Sequence, residues 1–251
     1  MTVAVFAALR AEIELLVASL TDARRADVAG WPVWSGNLAG VDTVLALAGM
    51  GKVNTAALSG VVWERYRPGL MVFTGVAGAL DPTLQVGDIV IGERTIQHDC
   101  GVISPHGLQR YQAGHIPFFN PTDEWGFTPS HEVLAMARDA VATTAFTPVL
   151  DRLPAVSFRT IITGDQFLQD AITRDELFAE LGAAAIEMEG AALAQAARQF
   201  GIDHLVIRSM SDLAGDESPE HFARFVPEVA ANSARLVAAL VANCEHRPSR
   251  A

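Results

Sequence analysis

The chain has 251 residues, of which 50% are hydrophobic and 19% are charged, a composition that excludes a disordered protein and indicates a packed globular one. Its 18 basic and 29 acidic residues give a formal net charge of −11. This charge disfavours nucleic acid or an anionic membrane as the main partner, although a small anionic ligand at a local site is not excluded.

Short apolar runs alternate with helical patterns along the first part of the chain. A buried strand at TVAVFAA precedes a helix from Arg10 to Leu20. The runs WPVWSGNLAG and VDTVLALAG predict an antiparallel pair joined at Gly40. The next predicted elements are a helix at GKVNTAALSGVVWERY and strands at LMVFTGVAG and GDIVIGERTI.

The alternation continues in the second half. Ser130 is placed to cap a helix at SHEVLAMARDAVATT, and VSFRTIITG predicts a strand. A short helix is expected from Asp175 to Leu181, before a strand that ends at AAAIEME and a helix that runs to about Phe200. The run DHLVIRSMSD predicts one more strand.

Two segments are less regular. The last helix is expected to have Ser218 as N-cap and Pro219 at its first position, with Pro227 kinking or restarting it. The stretch 101–128 fits no element, although it carries PFFNP and Trp125. Long ordered loops of this kind usually form lids or interfaces.

The order of elements predicts an α/β fold with a mainly parallel sheet that helices cover on both faces. One domain is expected over residues 1–245, followed by a tail at 246–251. Cys100 and Cys244 have no metal-binding spacing. We therefore expect a cytoplasmic protein without metal or cofactor, and neither a signal peptide nor an apolar run of roughly 18 residues is evident.

Four polar or glycine-rich motifs lie where predicted strands end: TGVAG, TGDQF, EMEG and RSMSD. In open α/β sheets, ligands bind beyond the carboxyl ends of the strands. Glu187 and Glu189 lie at one such end, inside a small and apolar run, and carboxylates are rarely buried without a partner. The sequence therefore predicts a ligand-binding cleft at this side of the sheet.

The motifs AALRAEIELL, AGMGKVNTA, TGVAGAL, VGDIVIG, TGDQF, EMEGAA and RSMSD occur in this order between Ala4 and Leu240. Together they resemble the 5′-methylthioadenosine/S-adenosylhomocysteine nucleosidases of the purine nucleoside phosphorylase and nucleosidase superfamily. The resemblance implies a nucleoside phosphorylase-like fold, with a mixed twisted central sheet flanked by helices. It also implies an N-glycosyl hydrolase that releases adenine from a 5′-modified nucleoside.

The resemblance assigns four catalytic positions. Asp212 would protonate the leaving base, with Ser211 supporting it, and Glu12 would orient or deprotonate water with the help of Arg208. Helical periodicity adds to this for Glu12, which borders the apolar stripe of the first helix, whereas Glu14 points away from it. The alternatives from the residues alone are an Asp212 that caps a turn and an Arg208 in a surface ion pair.

The resemblance also assigns the substrate-binding positions. Glu189 would accept both ribose hydroxyls, Met188 would pack against the sugar, and Phe167 would stack on adenine. Core packing remains the alternative for Phe167, and a carboxylate bonded to backbone amides is the favoured interpretation of Glu187. The other implied substrate contacts are Leu168 at the base edge, Gly78 and Val76 beside the ribose, and Phe222 over the 5′ substituent.

Three departures from the family pattern concern the 5′ substituent: Leu9 where Met is usual, Val76 where some relatives have Ser, and the long segment 101–128. A futalosine-type nucleosidase, a phosphate-dependent purine nucleoside phosphorylase and a non-catalytic nucleoside-binding protein are therefore alternatives. The joint presence of Glu12 and Asp212 favours an enzyme. The run HIPFFNPTDEW would expose a large apolar patch on a monomer, which predicts a homodimer.

Overall fold

The computed structural model of the protein describes residues 1–244, so the tail predicted at 246–251 lies outside the described residues. Within residues 1–244 the chain forms eleven strands and six helices. The strands are β1 Val3–Ala7, β2 Thr21–Val28, β3 Trp31–Leu38, β4 Val41–Leu47, β5 Leu70–Ala79, β6 Ile89–Gln97, β7 Gly101–Ser104, β8 Gly107–Arg110, β9 Val156–Thr163, β10 Ala185–Glu187 and β11 Asp203–Asp212. The helices are α1 Arg10–Ser19, α2 Lys52–Tyr66, α3 His131–Thr143, α4 Ala171–Leu181, α5 Gly190–Gln199 and α6 Ser218–Ala242.

Nine of these strands form one mixed sheet, in the order β10-β9-β6-β11-β5-β1-β4-β3-β2. The strands around its centre, β4, β1, β5 and β11, run parallel to one another, whereas β11 and β6 are antiparallel. Strand β10 also pairs with β5, so that β5, β11, β6, β9 and β10 close into a ring. The mixed central sheet and the antiparallel β3–β4 pair are confirmed.

Helices cover both faces of the sheet because its central strands are apolar on both sides. Val3 and Val5 of β1 face the layer that contains α1, α3 and α6. Ala4 and Phe6 of the same strand face the layer of α2 and α5. The alternation of side chains along one buried strand thus divides the hydrophobic core between two helical layers.

The structure corrects the prediction in two strand regions. Strand β2, with the sequence TDARRADV, was not predicted, because its side chains are mostly exposed and charged and give no hydrophobic pattern. The segment 101–128, expected to contain no element, forms the hairpin β7–β8. These two strands bury little of their surface, so their sequence lacks the apolar alternation that marks a strand.

Helix boundaries differ at two places. Helix α4 begins earlier than expected, at Ala171, because Asp170 caps it by accepting a hydrogen bond from Thr173 N at 2.7 Å. The N-cap of α6 is Glu217, and the prediction of Ser218 at this position was wrong. The Ser218 hydroxyl instead accepts a hydrogen bond from Gly215 N at 2.8 Å, and α6 continues through Pro227 without restarting.

Among the described helices, α6 alone is long and apolar enough to cross a membrane by length and composition. Most of its apolar stretch is buried inside the protein. It packs on β11, α1 and α3, and Ser233 bonds to the hydroxyl of Ser209 on β11 at 2.6 Å. Its apolar composition is therefore accounted for by the core.

The topology brings several strand ends to the same place. Because β1, β5 and β11 are parallel, their carboxyl ends open on one side of the sheet. Strand β10 ends there as well, with Ile186 paired to Gly78 of β5 and Glu187 paired to Thr163 of β9. The four predicted motif regions thus meet around one space.

Candidate active site

A cleft opens at these strand ends, with an empty volume of about 570 Å³ that includes its mouth. All residues that the sequence assigned to catalysis or substrate binding line it, and their individual roles remain predictions. They are Glu12, Val76, Gly78, Phe167, Leu168, Met188, Glu189, Arg208, Ser211, Asp212 and Phe222. The lining residues that the sequence did not single out as contacts are Ala8, Leu9, Met50, Ala77, Gln166, Ile186 and Glu187.

Glu12 is fixed at the start of α1 by backbone amides. Its Oε2 accepts hydrogen bonds from Ala8 N at 3.0 Å and Leu9 N at 2.7 Å, and its Oε1 accepts one from Val76 N at 3.0 Å. As the third residue of the helix, Glu12 satisfies amides that otherwise lack partners there. The side chain is only 2% exposed, in agreement with its predicted place beside the apolar stripe.

Gly75 leaves the space that the Glu12 carboxylate occupies. A Cβ at this position would lie 2.5 Å from Glu12 Oε1 and 2.6 Å from Arg208 Nη1. The backbone of Gly75 also has φ of +153°, which side-chain-bearing residues rarely adopt. The glycine is therefore required for the carboxylate and the guanidinium to approach β5 from either side.

Arg208 is the cation at the centre of the cleft. It is 1% exposed, and its guanidinium lies 4.5 Å from the centroid of the Phe73 ring. Its Nη2 contacts the carboxylate of Glu187 closely and that of Glu189 at 3.2 Å. The sequence predicted that Arg208 would assist Glu12. Its Nη2 bonds to these two glutamates and its Nη1 donates to Val76 O at 3.5 Å, so its effect on Glu12 is an electrostatic attraction.

Glu187 has a structural role at the beginning of α5. Its oxygens accept hydrogen bonds from Glu189 N at 3.1 Å and from Gly190 N at 2.7 and 2.9 Å, and it also contacts the hydroxyl of Thr163. A carboxylate is stabilised at this helix end by free amides and by the helix dipole. This geometry agrees with the interpretation of Glu187 as a carboxylate bonded to backbone amides.

Glu189 is the residue that precedes α5, and its side chain points into the cleft. Its Oε1 accepts a hydrogen bond from Gly51 N at 2.7 Å, while Oε2 faces Arg208. Burial raises the pKa of Glu189 to about 7, opposed by Arg208 and reinforced by the negative charge of Glu187. Burial also raises the pKa of Glu12, against the attraction of Arg208 and the three amides, which makes Glu12 a stronger base.

Asp212 lies at a bulge that ends β11. The register with β5 shifts between Met210 and Asp212, so the extra residue Ser211 turns toward the cleft together with Asp212. The Ser211 hydroxyl donates to Asp212 Oδ2 at 2.9 Å, and Ala214 N donates to Oδ1 at 2.9 Å. A Cβ on Gly78 would come within 3.0 Å of Oδ1, so this glycine leaves space beside the carboxyl.

Two aromatic rings border the mouth of the cleft. Phe167 and Phe222 meet edge to face, with ring centroids 5.7 Å apart. Phe167 is 46% exposed, which leaves much of its surface free for a flat ligand and argues against plain core packing. Phe225, one turn along α6, is buried against Val76 and belongs to the core.

Nothing in the sequence indicates the partners of these side chains. Thr163 and Gly51 hold Glu187 and Glu189 from other parts of the chain, and nothing local marks either residue for this contact.

No group of three or more His, Cys, Asp or Glu side chains within residues 1–244 has the geometry of a metal site.

A family model described as the phosphorylase superfamily matches residues 2–242. A 5′-methylthioadenosine/S-adenosylhomocysteine nucleosidase of Mycobacterium tuberculosis is 44% identical over 246 residues, which cover 96% of each chain. The structure of the nucleosidase of the same name from Neisseria meningitidis, in complex with methylthio-immucillin-A, is similar with a TM-score of 0.84 and 33% identity, covering 96% and 98% of the two chains. Futalosine hydrolase of Helicobacter pylori has a TM-score of 0.81 and 25% identity, covering 96% and 97%.

The raised pKa of Glu189 predicts a pH-dependent stability. Because its folded-state pKa is about 7 and its ordinary value 4.5, ionising Glu189 between these values opposes folding, and the wild type loses stability as pH rises through this window. The Glu189→Gln variant lacks this loss. The thermal midpoint of this variant should therefore rise relative to that of the wild type as the pH increases from about 5 to about 8.

Glu14→Gln is the matched control, since it makes the same chemical change at an exposed carboxylate, on helix α1. Its difference from the wild type should stay constant over the same pH range. A constant difference for Glu189→Gln as well would show that the buried carboxylate does not titrate as described.

Proposed function

The chain belongs to the phosphorylase superfamily, and we propose that it hydrolyses the N-glycosidic bond of 5′-methylthioadenosine and S-adenosylhomocysteine, releasing adenine. The name of the 44% identical relative supports this substrate class. The observation that carries the proposal is that Glu12 and Asp212 line the same cleft as Glu189. A protein that only binds nucleosides has no need of both an acid and a water-orienting carboxylate.

Asp212 acts on the base in the proposed mechanism. It donates a proton to N7 of adenine, so that the electron pair of the breaking C1′–N9 bond leaves with a neutral base. The Ser211 hydroxyl and Ala214 N each hold one oxygen of Asp212, which fixes the direction in which the carboxyl points. Asp212 is 2% exposed, so the base would meet it in a space from which most water is excluded.

Glu12 acts on the attacking water. It accepts a proton from the water that attacks C1′, and its raised pKa makes it a better base for this purpose. Glu189 accepts hydrogen bonds from the ribose hydroxyls. The carboxylates of Glu12, Glu187 and Glu189 outnumber the single guanidinium of Arg208 in this space, which favours the positive charge that develops on the sugar.

A phosphate-dependent phosphorylase is the first alternative. Among the cleft-lining residues that the structure describes, Arg208 is the single cation, and Glu187 and Glu189 already contact it. Glu12 lies close enough to Arg208 to interact with it electrostatically, so its carboxylate would repel a phosphate that approached this guanidinium. Hydrolysis is therefore favoured over phosphorolysis.

A futalosine-type nucleosidase is the second alternative. The Helicobacter pylori hydrolase shares the fold, but at 25% identity it is less similar in sequence than the methylthioadenosine/S-adenosylhomocysteine nucleosidases of M. tuberculosis and N. meningitidis. Leu9, Val76 and Phe222 give the cleft an apolar part that suits the 5′-thioether sulfur and its adjacent carbon, which 5′-methylthioadenosine and S-adenosylhomocysteine share.

We further propose that the protein is a cytoplasmic homodimer. Phe118 and Phe119 are 83% and 81% exposed. Asn120 fixes the turn that presents them, because its Oδ1 accepts from Ile116 N at 2.6 Å and its backbone oxygen bonds to His115. Two adjacent exposed rings on an ordered turn support a surface that another copy covers.

Phosphate independence is the central test. Incubation with 5′-methylthioadenosine should yield adenine and free methylthioribose at the same rate with and without phosphate, read by chromatography of the base and the sugar. If the rate instead rises saturably with phosphate and the product is a ribose 1-phosphate, the phosphorylase alternative is correct. A panel of nucleosides that includes futalosine tests the 5′ substituent in the same assay.

Removing either carboxyl should stop turnover without unfolding the protein. Asp212→Asn and Glu12→Gln are each expected to lower kcat by about 10²- to 10⁴-fold, with a much smaller change in affinity, because both groups act mainly in the transition state. Glu14→Gln, on the exposed face of the same helix, is the control and should retain full activity. Near-normal kcat in Asp212→Asn or Glu12→Gln would remove that residue from its role.

The dimer is tested by light scattering at micromolar concentration. The wild type should have twice the chain mass, and Phe118→Ser combined with Phe119→Ser should weaken the association. Leu153→Ser, at another exposed apolar residue, is the control and should leave the association unchanged. A fully active wild-type monomer would contradict the proposal.

A further inference from the structure

A second group of charges lies beside the cleft, where α2 begins. Lys52 Nζ lies 2.6 and 2.8 Å from the two carboxylate oxygens of Asp99 and 3.7 Å from Asp165 Oδ2. The backbone N–H of Asp165 donates to Asp99 Oδ2 at 3.1 Å. These three residues, the Lys52 cluster, connect three distant parts of the chain.

Helix formation does not account for this cluster. A lysine in the first turn of a helix is opposed by the positive end of the helix dipole, and the first turn of α2 contains no acidic residue. Asp165 compensates from outside the helix, since its Oδ1 accepts the backbone N–H of Lys52 at 2.8 Å. Burial on its own would raise the pKa of Asp99. The hydrogen bonds from the Lys52 side chain and from the backbone of Asp165 outweigh burial and hold this pKa below its usual value.

The cluster reaches the ribose side of the cleft through Gly51. This residue directly precedes Lys52, and its N–H donates to Glu189 Oε1 at 2.7 Å. Its φ of +94° favours glycine here, and a Cβ would lie only 3.1 Å from Asp165 Oδ1. Fixing Lys52 therefore fixes the amide that holds Glu189.

The cluster reaches the base side through Asp165. Only Gln166 separates Asp165 from Phe167, whose ring borders the mouth of the cleft. Asp99 bonds to the backbone of Asp165, and Lys52 bonds to its side chain. The loop that carries Phe167 is thus attached to the same point as the amide on Glu189.

We propose that Lys52, Asp99 and Asp165 are positioning residues, which hold the ribose-binding carboxylate of Glu189 and the loop of Phe167 in one fixed geometry. The inference rests on the proposed function for the identity of the substrate. None of the three residues lines the cleft, and Glu12 and Asp212 have other hydrogen-bond partners. Their loss therefore affects binding of the nucleoside more than its cleavage.

Lys52→Met tests the proposal. The KM for 5′-methylthioadenosine should rise about tenfold, while kcat falls less than about threefold, because the interactions lost are those of binding. The dissociation constant of adenine, measured by calorimetry, should rise several-fold, since Asp99, which accepts the backbone N–H of Asp165 in the loop of Phe167, loses the ammonium group that fixes it. A purely structural role would reduce the folded fraction, which lowers kcat and leaves both KM and adenine affinity unchanged.

Arg152→Met is the matched control. Arg152 contacts the buried carboxylate of Asp88 at 2.7 Å, outside the cleft, so this variant also removes the cation of an ion pair. Its thermal midpoint should fall while KM and adenine affinity remain those of the wild type. Lys52→Arg keeps the charge and should recover most of the adenine affinity.

A double variant adds a second criterion. Lys52→Met with Asp99→Asn should raise KM by less than the product of the two single effects, because position 99 no longer carries a carboxylate without its cation. Adenine affinity does not depend on turnover, so a wild type that fails to cleave the nucleoside would contradict the proposed function and leave this test intact. Adenine affinity and KM within twofold of wild type in Lys52→Met would overturn the positioning role.

Discussion

A buried guanidinium surrounded by carboxylates is the constraint on which the rest of this structure depends. Arg208, Glu187, Glu189 and Glu12 are each no more than 5% exposed. Charges in such a place persist only if every one is paired or bonded, since an unpaired buried charge is strongly destabilising. The sheet, the helix ends and several glycines are arranged in ways that meet this demand.

Helix N-termini supply most of the compensation. Glu187 takes the free amides of α5, Glu12 takes those that precede α1, and Gly51 at the start of α2 provides the amide for Glu189. Three helices therefore point their positive ends at one group of acids. This convergence follows from where the preceding strands end: β1 and β4 are parallel neighbours, and β10, which runs antiparallel to β5, ends beside Gly78 at the same cleft.

The fold was largely predictable because its central strands are apolar and its helices periodic. Glu12 could be located from periodicity, since a carboxylate bordering an apolar stripe must face inward. Asp212 could not be singled out without the family resemblance, because an acidic residue at a strand end is equally typical of a turn. The choice of Glu187 as the partner of Arg208 depends on how β10 and β11 meet in space, and strand β2 lacks the hydrophobic pattern that would reveal it.

The closed ring of β5, β11, β6, β9 and β10 has a consequence for self-association. Strand β10 pairs on both sides, with β9 and with β5, so the sheet offers no free backbone at that end for another chain to extend. In the nine-stranded sheet, growth by strand addition is left with β2, whose sequence TDARRADV carries charges of both signs on exposed positions. Desolvating those charges opposes stacking of a second sheet there, so the concentrated protein should resist amyloid-like polymerisation.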